Sequence, residues 1–197
     1  MKYINQLAYP HIPYRTNTTR PELPESERNR TVAKSGCGLC CASMAVDYLT
    51  DRELSIEDCV RLSEDNGASP RRGTSMHILG PVLAEKFDLL YQNTNDLSEA
   101  IAHLQRGGVI IAHVRVPENA EIGLFTKGGH YILLLATDGK EFSILDPSYT
   151  EGKFDIPERA GKVDDKNAPY LYCDVNLVHA ETADDLPKYH LFSRKRR

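Results

Sequence analysis

No stretch of this 197-residue chain stays apolar over the roughly 18 to 20 residues that a membrane-crossing helix requires. Met1–Pro10 has no apolar centre of the kind a secretion signal carries, so no Sec-type leader is expected. No internal repeat and no long low-complexity tract occurs. An excess of basic charge is missing too: the net charge is −4. A general nucleic-acid binder would be basic over a face, so that class is not expected, and neither is a membrane partner. The one basic run, Arg194 to Arg197, is terminal and reads as a solvated end. Cysteine is scarce and unevenly placed: Cys37, Cys40, Cys41, Cys59 and Cys173. An odd, clustered set is not a disulfide framework, so reduced thiols and a cytoplasmic location are expected.

What is present is ordinary for a globular protein, with 41% hydrophobic and 26% charged residues. The length fits a single domain over residues 1–197. Residues 1–35, with Pro10, Pro13, Pro21 and Pro24 among polar residues, read as an arm and loop. A short strand is expected near Tyr9–Tyr14. Residues 36–106 carry helical periodicity. Cys40, Cys41, Met44, Ala45, Tyr48 and Leu49 form a first stripe, and Ser55 caps a second helix. Gly73-Thr74-Ser75 opens a third, with a kink or restart at Pro81, and Asp96 or Ser98 caps a fourth. Leu89–Gln92 is a candidate strand. Over 107–178 the pattern becomes β, with apolar runs at Val109–Val116, His130–Ala136 and Glu141–Leu145 and a tight turn at Asp138-Gly139. These three predict an antiparallel meander, and Tyr170–Val178 predicts one more strand. Val163–Asp165 and Ala180–Pro187 read as loops, and 179–197 as a tail without an assigned role. Helices first and sheet second make the class α+β, with N-terminal helices packed against a C-terminal antiparallel sheet.

The informative segment is Ser35-Gly36-Cys37-Gly38-Leu39-Cys40-Cys41. It sets a cysteine at a helix start, where free N–H groups and the dipole favour an anion. A thiolate is such an anion, so Cys37 is a candidate nucleophile with a lowered pKa. Gly36 and Gly38 leave room for a substrate carbonyl, and the Cys37 N–H is placed to donate to an oxyanion. The plainer reading makes Cys37 a small buried apolar residue, which suits Cys40 and Cys41 better. Cys37-x-x-Cys40 also invites a redox or a zinc reading. No βαβ strand precedes it and no second pair of ligands follows, so no metal and no cofactor is expected.

His130 begins an apolar strand behind Gly128-Gly129, a rigid mount for a base with open backbone at Gly129 for substrate. Asp146-Pro147 closes the next strand. If that hairpin turns at Asp138-Gly139, His130 and Asp146 face each other within one residue. The carboxylate then holds the imidazole tautomer and stabilises the imidazolium.

Cys37, His130 and Asp146, in that order, resemble the papain-like cysteine peptidases. The branch they resemble is that of the bacteriocin-leader-processing peptidases of ABC transporters, in its stand-alone form. The matching motifs are Pro13-Tyr14, Gly36-Cys37-Gly38, Gly73-Thr74-Ser75, Gly129-His130-Tyr131 and Asp146-Pro147, spanning about residues 9 to 160. The resemblance implies a cleft lined by Gly36, Gly38, Gly73, Thr74 and Gly129. It also implies a side-chain amide in the oxyanion hole. The family's glutamine falls on Asn17 here, with Gln6 and Asn29 as fallbacks. About twenty residues separate Tyr14 from Cys37, and Leu39 stands where the family has proline. The intervening charged loop either shapes the cleft or is plain surface, and Arg71-Arg72 either meets an acidic substrate group or is solvated.

The implied reaction is cleavage of a peptide or amide bond through a thioester, with a peptide or amide substrate as the partner. An acyltransferase would need the same triad. A catalytically weak binding module on a peptidase fold is the alternative from another class, favoured by Asn17 and opposed by the retained triad.

Overall fold

The computed structural model describes residues 1–182 and 187–195. The arm begins with a 3-10 turn at Gln6–Ala8. It continues as β1, Pro13–Arg15, then a loop holding α1, Glu25–Arg28, and returns as β2, Asn29–Thr31, which pairs antiparallel with β1. A one-turn helix, α2, Val32–Ser35, leads through Gly36 into α3, Cys37–Leu49. Leu39, Cys40, Cys41 and Met44 are all fully buried. A helix apolar on nearly every side is a core helix, and α3 is the central one here.

α4, Ile56–Asp65, starts at Ser55, whose Oγ accepts from the Asp58 N–H at 3.1 Å. α5, Met76–Phe87, runs unbroken through Pro81 and ends at Asp88 with φ 58°, so the expected restart does not occur. After β3, Leu89–Thr94, helix α6, Leu97–Gln105, is capped by Asp96, which accepts from the Glu99 N–H at 3.0 Å. Then come β4, Val109–Arg115, β5, Gly129–Thr137, β6, Glu141–Leu145, β7, Val163–Asn167, and β8, Tyr170–Asp174. Helix α7, Val175–Ala180, and β9, Tyr189–Arg194, complete the described elements.

Seven strands form one antiparallel sheet in the order β3-β9-β4-β5-β6-β8-β7. The predicted meander is its centre. Each apolar run is buried on both sides, which is why it reads as continuous. Val109, Ile111, Leu133, Leu145 and Phe192 face the core built on α3, α4 and α5. Ile110, Ala112, Val114, Ile132, Leu134 and Ile144 face a second core with Ala100 and Leu104 of α6.

Three expectations change. Val163–Asn167 is a strand, β7, at the sheet edge, where its polar residues stay wet. Tyr170–Val178 is not one strand. The Asp174 carboxylate accepts from the N–H groups of Asn176 and Leu177 (2.8 and 3.2 Å), which ends β8 and caps α7. The tail supplies β9, inserted between β3 and β4 with Tyr189, His190, Leu191 and Phe192 buried. Arg196, Arg197 and residues 183–186 of the expected loop lie outside the described residues. Among the described residues no helix is long and apolar enough to cross a membrane.

Candidate active site

Cys37 is the first residue of α3. The glycines on either side are there for packing. A Cβ at Gly36 would lie 2.5 Å from Val32 Cγ1 and 2.6 Å from the Val32 carbonyl, and one at Gly38 would lie 2.8 Å from Thr74 Cβ. α2, the Thr74 loop and β5 thus close directly on the helix start. The Cys37 side chain stays partly accessible, whereas Cys40, Cys41, Cys59 and Cys173 are buried. Burial pushes the Cys37 thiol up, but its hydrogen bond to His130 and the charge of His130 outweigh that. Tyr131 and Gly38 backbone groups add to the effect, and the thiol falls below its usual pKa. At Cys40 and Cys41 burial is unopposed and the thiols rise well above it. Both side chains pack in the core built on α3.

His130 is the second residue of β5 and is buried. Its Nε2 donates to Asp146 Oδ1 at 2.8 Å. Burial alone would lower the imidazole pKa; the Asp146 charge and hydrogen bond reverse this and, with Cys37, raise it to about 9. The β5–β6 register runs Leu133↔Leu145 and Leu134↔Ile144, then shifts at a bulge before Ala136↔Ser143. Continued to the start of β5, it brings Ser148 level with His130, and Ser148 Oγ lies 3.2 Å from Nε2. Asp146 therefore reaches His130 diagonally, just past the end of β6.

Asp146 has no solvent exposure. Oδ1 also accepts from the Ser148 N–H at 2.8 Å and Oγ at 3.0 Å, and Oδ2 pairs with Lys153 Nζ. Burial raises the carboxyl pKa, yet His130 and then Lys153 more than offset it and hold Asp146 ionised well below the usual carboxylate range.

The candidate oxyanion amides of Asn17, Gln6 and Asn29 all have partners within the protein. Asn17, at φ 51°, gives its Nδ2 to the Glu27 carbonyl at 2.8 Å and its N–H to the Arg71 carbonyl at 2.7 Å. Asn29 is exposed and donates to Glu25 at 2.9 Å. Gln6 is nearer the hairpin: its N–H donates to the Pro147 carbonyl at 2.7 Å. Its Nε2 donates to the Ala33 carbonyl at 2.8 Å, and its buried Oε1 has no partner. Thr74 Oγ1 is engaged with the Tyr14 hydroxyl at 2.9 Å. Gly129 is exposed, and Gly73 has only the Ser35 carbonyl near its Cβ position, at 3.6 Å. Arg71 and Arg72 are exposed, as are Arg20 and Glu22 of the charged loop.

Sequence reasoning missed Lys153 and Ser148, because nothing in the order of loop residues signals which side chain folds back. It also missed the arm. Tyr3 donates its hydroxyl to the Asp146 carbonyl at 2.6 Å, and Asn5 Nδ2 donates to the Tyr149 carbonyl at 2.7 Å, so the arm straps the 146–149 segment.

No model of a known protein family matches the chain, and no curated protein does. Among solved structures, the chain resembles a crystal structure described as that of a candidate C39-like peptidase from Bacillus anthracis. The TM-score is 0.54 at 12% identity, over 100% of this chain and 99% of that one. At that identity the likeness is one of fold: the chain's mixed helix and antiparallel sheet are similar to that structure.

Proposed function

We propose that residues 1–197 form one papain-like domain acting as a cysteine hydrolase on a peptide or amide bond, without a cofactor. The observation that carries this reading is His130, whose Nε2 bonds the buried Asp146 carboxylate at 2.8 Å and whose charge holds the Cys37 thiol below its usual pKa. The Cys37 thiolate adds to the carbonyl carbon. As the C–N bond breaks, His130 gives its proton to the leaving amine, and a thioester remains. Water then attacks the thioester, its proton passes to His130 and the thiolate leaves. The Cys37 N–H binds the oxyanion. Gln6 is the better-placed side-chain donor, because its backbone is tied to Pro147 beside the triad whereas Asn17 is tied to the Glu27 loop. An amine in place of water would make the same steps an acyl transfer.

One observation favours a binding module instead: the Asn17 and Gln6 amides both bond backbone carbonyls. Alkylation separates the two. Iodoacetamide at pH 6 should modify one cysteine, Cys37, and His130→Ala should abolish that reactivity. Incubation with a peptide library should trap a thioester on Cys37 by mass spectrometry. A Cys37 that reacts only near pH 8.5 or above would sink the hydrolase reading.

A further inference from the structure

Lys153 is a charged group at this site that the three-residue mechanism leaves unused. Its side chain is only 9% exposed. An ammonium withdrawn from water costs several kcal/mol unless it is paired and hydrogen-bonded. The pairing here is specific. Nζ bonds Asp146 Oδ2 and the Ser148 hydroxyl, the latter at 2.8 Å. The residue is held from behind: its N–H donates to the Thr150 carbonyl at 3.0 Å, and its carbonyl accepts from Arg159 at 3.1 Å. Nζ also lies 5.9 Å from the centre of the Phe154 ring.

We propose that Lys153 is a positioning residue of this site: it holds Asp146 Oδ2 and Ser148 so that Oδ1 alone is presented to His130. This rests on the triad reading above. With Ser148 N–H and Oγ on Oδ1 and Lys153 on Oδ2, the carboxylate cannot turn about its terminal bond without losing a bond to a buried partner. The charged and titratable groups around it are Tyr3 from the arm, Cys37 and Cys41 from α3, His130 from β5, and Arg159 behind Lys153. Protonated His130 and Lys153 balance Asp146 and the Cys37 thiolate. Removing Lys153 leaves a net negative cluster and a loosened carboxylate, and both changes favour the protonated thiol.

The test needs no substrate. The pH profile of iodoacetamide alkylation at Cys37 is recorded for the wild type, Lys153→Met and Lys153→Arg. In Lys153→Met the acidic limb should move up by about one pH unit, so alkylation at pH 6 slows about tenfold. The rate at pH 10, where the Cys37 thiol is ionised in both proteins, should stay within about twofold. Lys153→Arg should bring the limb back most of the way, which a residue serving stability alone would not do. A Lys153→Met profile that overlays a wild type reactive at pH 6 overturns the proposal while leaving the triad reading standing. A wild type unreactive at pH 6 removes both. The four buried cysteines report folding; if Lys153→Met labels all five, Lys153→Gln takes its place with the same two outcomes.

Discussion

Asp146 accepts from His130 and Ser148 on one oxygen and from Lys153 on the other, with no contact to water. Stability and chemistry therefore meet in one side chain, and they can be separated. Asp146→Asn leaves the Lys153 ammonium buried without its counter-charge, which should cost about 3–5 kcal/mol in urea unfolding. On the hydrolase reading proposed above it also leaves His130 in the wrong tautomer, so hydrolysis should drop about 10³–10⁴-fold. Adding Lys153→Met should restore at least half of the lost stability and none of the rate. Recovery of both would show that the carboxylate matters only as a structural ion. At this scale the sequence was legible where a turn fixes a neighbour. Asp138-Gly139 sets the hairpin and so brings His130 near Asp146, but the bulge in β5 places Ser148 level with His130, and Asp146 reaches it from two residues away. Lys153 was not legible, because it reaches Asp146 through an irregular loop with no periodicity to read. The tie of Gln6 to Pro147 was not legible for a related reason: the two are far apart along the chain and meet only through the fold of the arm.

Among the elements, the junction of α2 and α3 decides how the nucleophile is aimed. Gly36→Ala would drive a Cβ into the Val32 carbonyl, a backbone atom that cannot swing aside. It should destabilise the chain by about 1–3 kcal/mol and slow Cys37 alkylation at pH 6. Gly73→Ala, with only a 3.6 Å contact to the Ser35 carbonyl, should leave both nearly unchanged. Equal effects of the two substitutions, in urea melts and alkylation rates, would show that the helix start tolerates displacement. Helices α3 to α6 were legible from spacing and from caps such as Ser55 and Asp96. β9 was not, since Tyr189–Arg194 mixes apolar and polar residues, and its burial comes from two neighbours distant in sequence, β3 and β4. α7 was read as strand because Val175 and Val178 suit either state, and the Asp174 cap decided the matter.

For the whole molecule, the triad's charges should show in how stability responds to pH. His130 titrates near 9 when folded, above its ordinary 6.5, so its contribution is full below pH 6.5 and is lost as pH rises to 9. Cys37 has the opposite sign. Its folded pKa is lowered, so its contribution is full above the ordinary thiol value of about 8.5 and is lost as pH falls. Below the ordinary thiol value the two slopes oppose each other. Cys37→Ser removes one of them. Its urea midpoint should fall more steeply than that of the wild type from pH 6.5 to 8.5. Parallel curves for the two proteins would mean that Cys37 supplies no opposing slope. Fold class was legible at this scale because the apolar runs of the sheet follow the helical stripes along the chain, and that order survives the insertion of a late strand.

That insertion has a consequence for biosynthesis. β9 is the last described element to leave the ribosome, yet among the described residues β3 pairs with no other strand and β4 needs it along one edge. At about 5–20 residues per second, several seconds separate the translation of residue 115 from that of residue 194. During that interval the nascent chain carries two open strand edges beside a finished α3, a state that invites capture by neighbouring chains on the same messenger. Slow codons between β8 and β9 should therefore lower the yield of folded protein more than the same codons placed after residue 194.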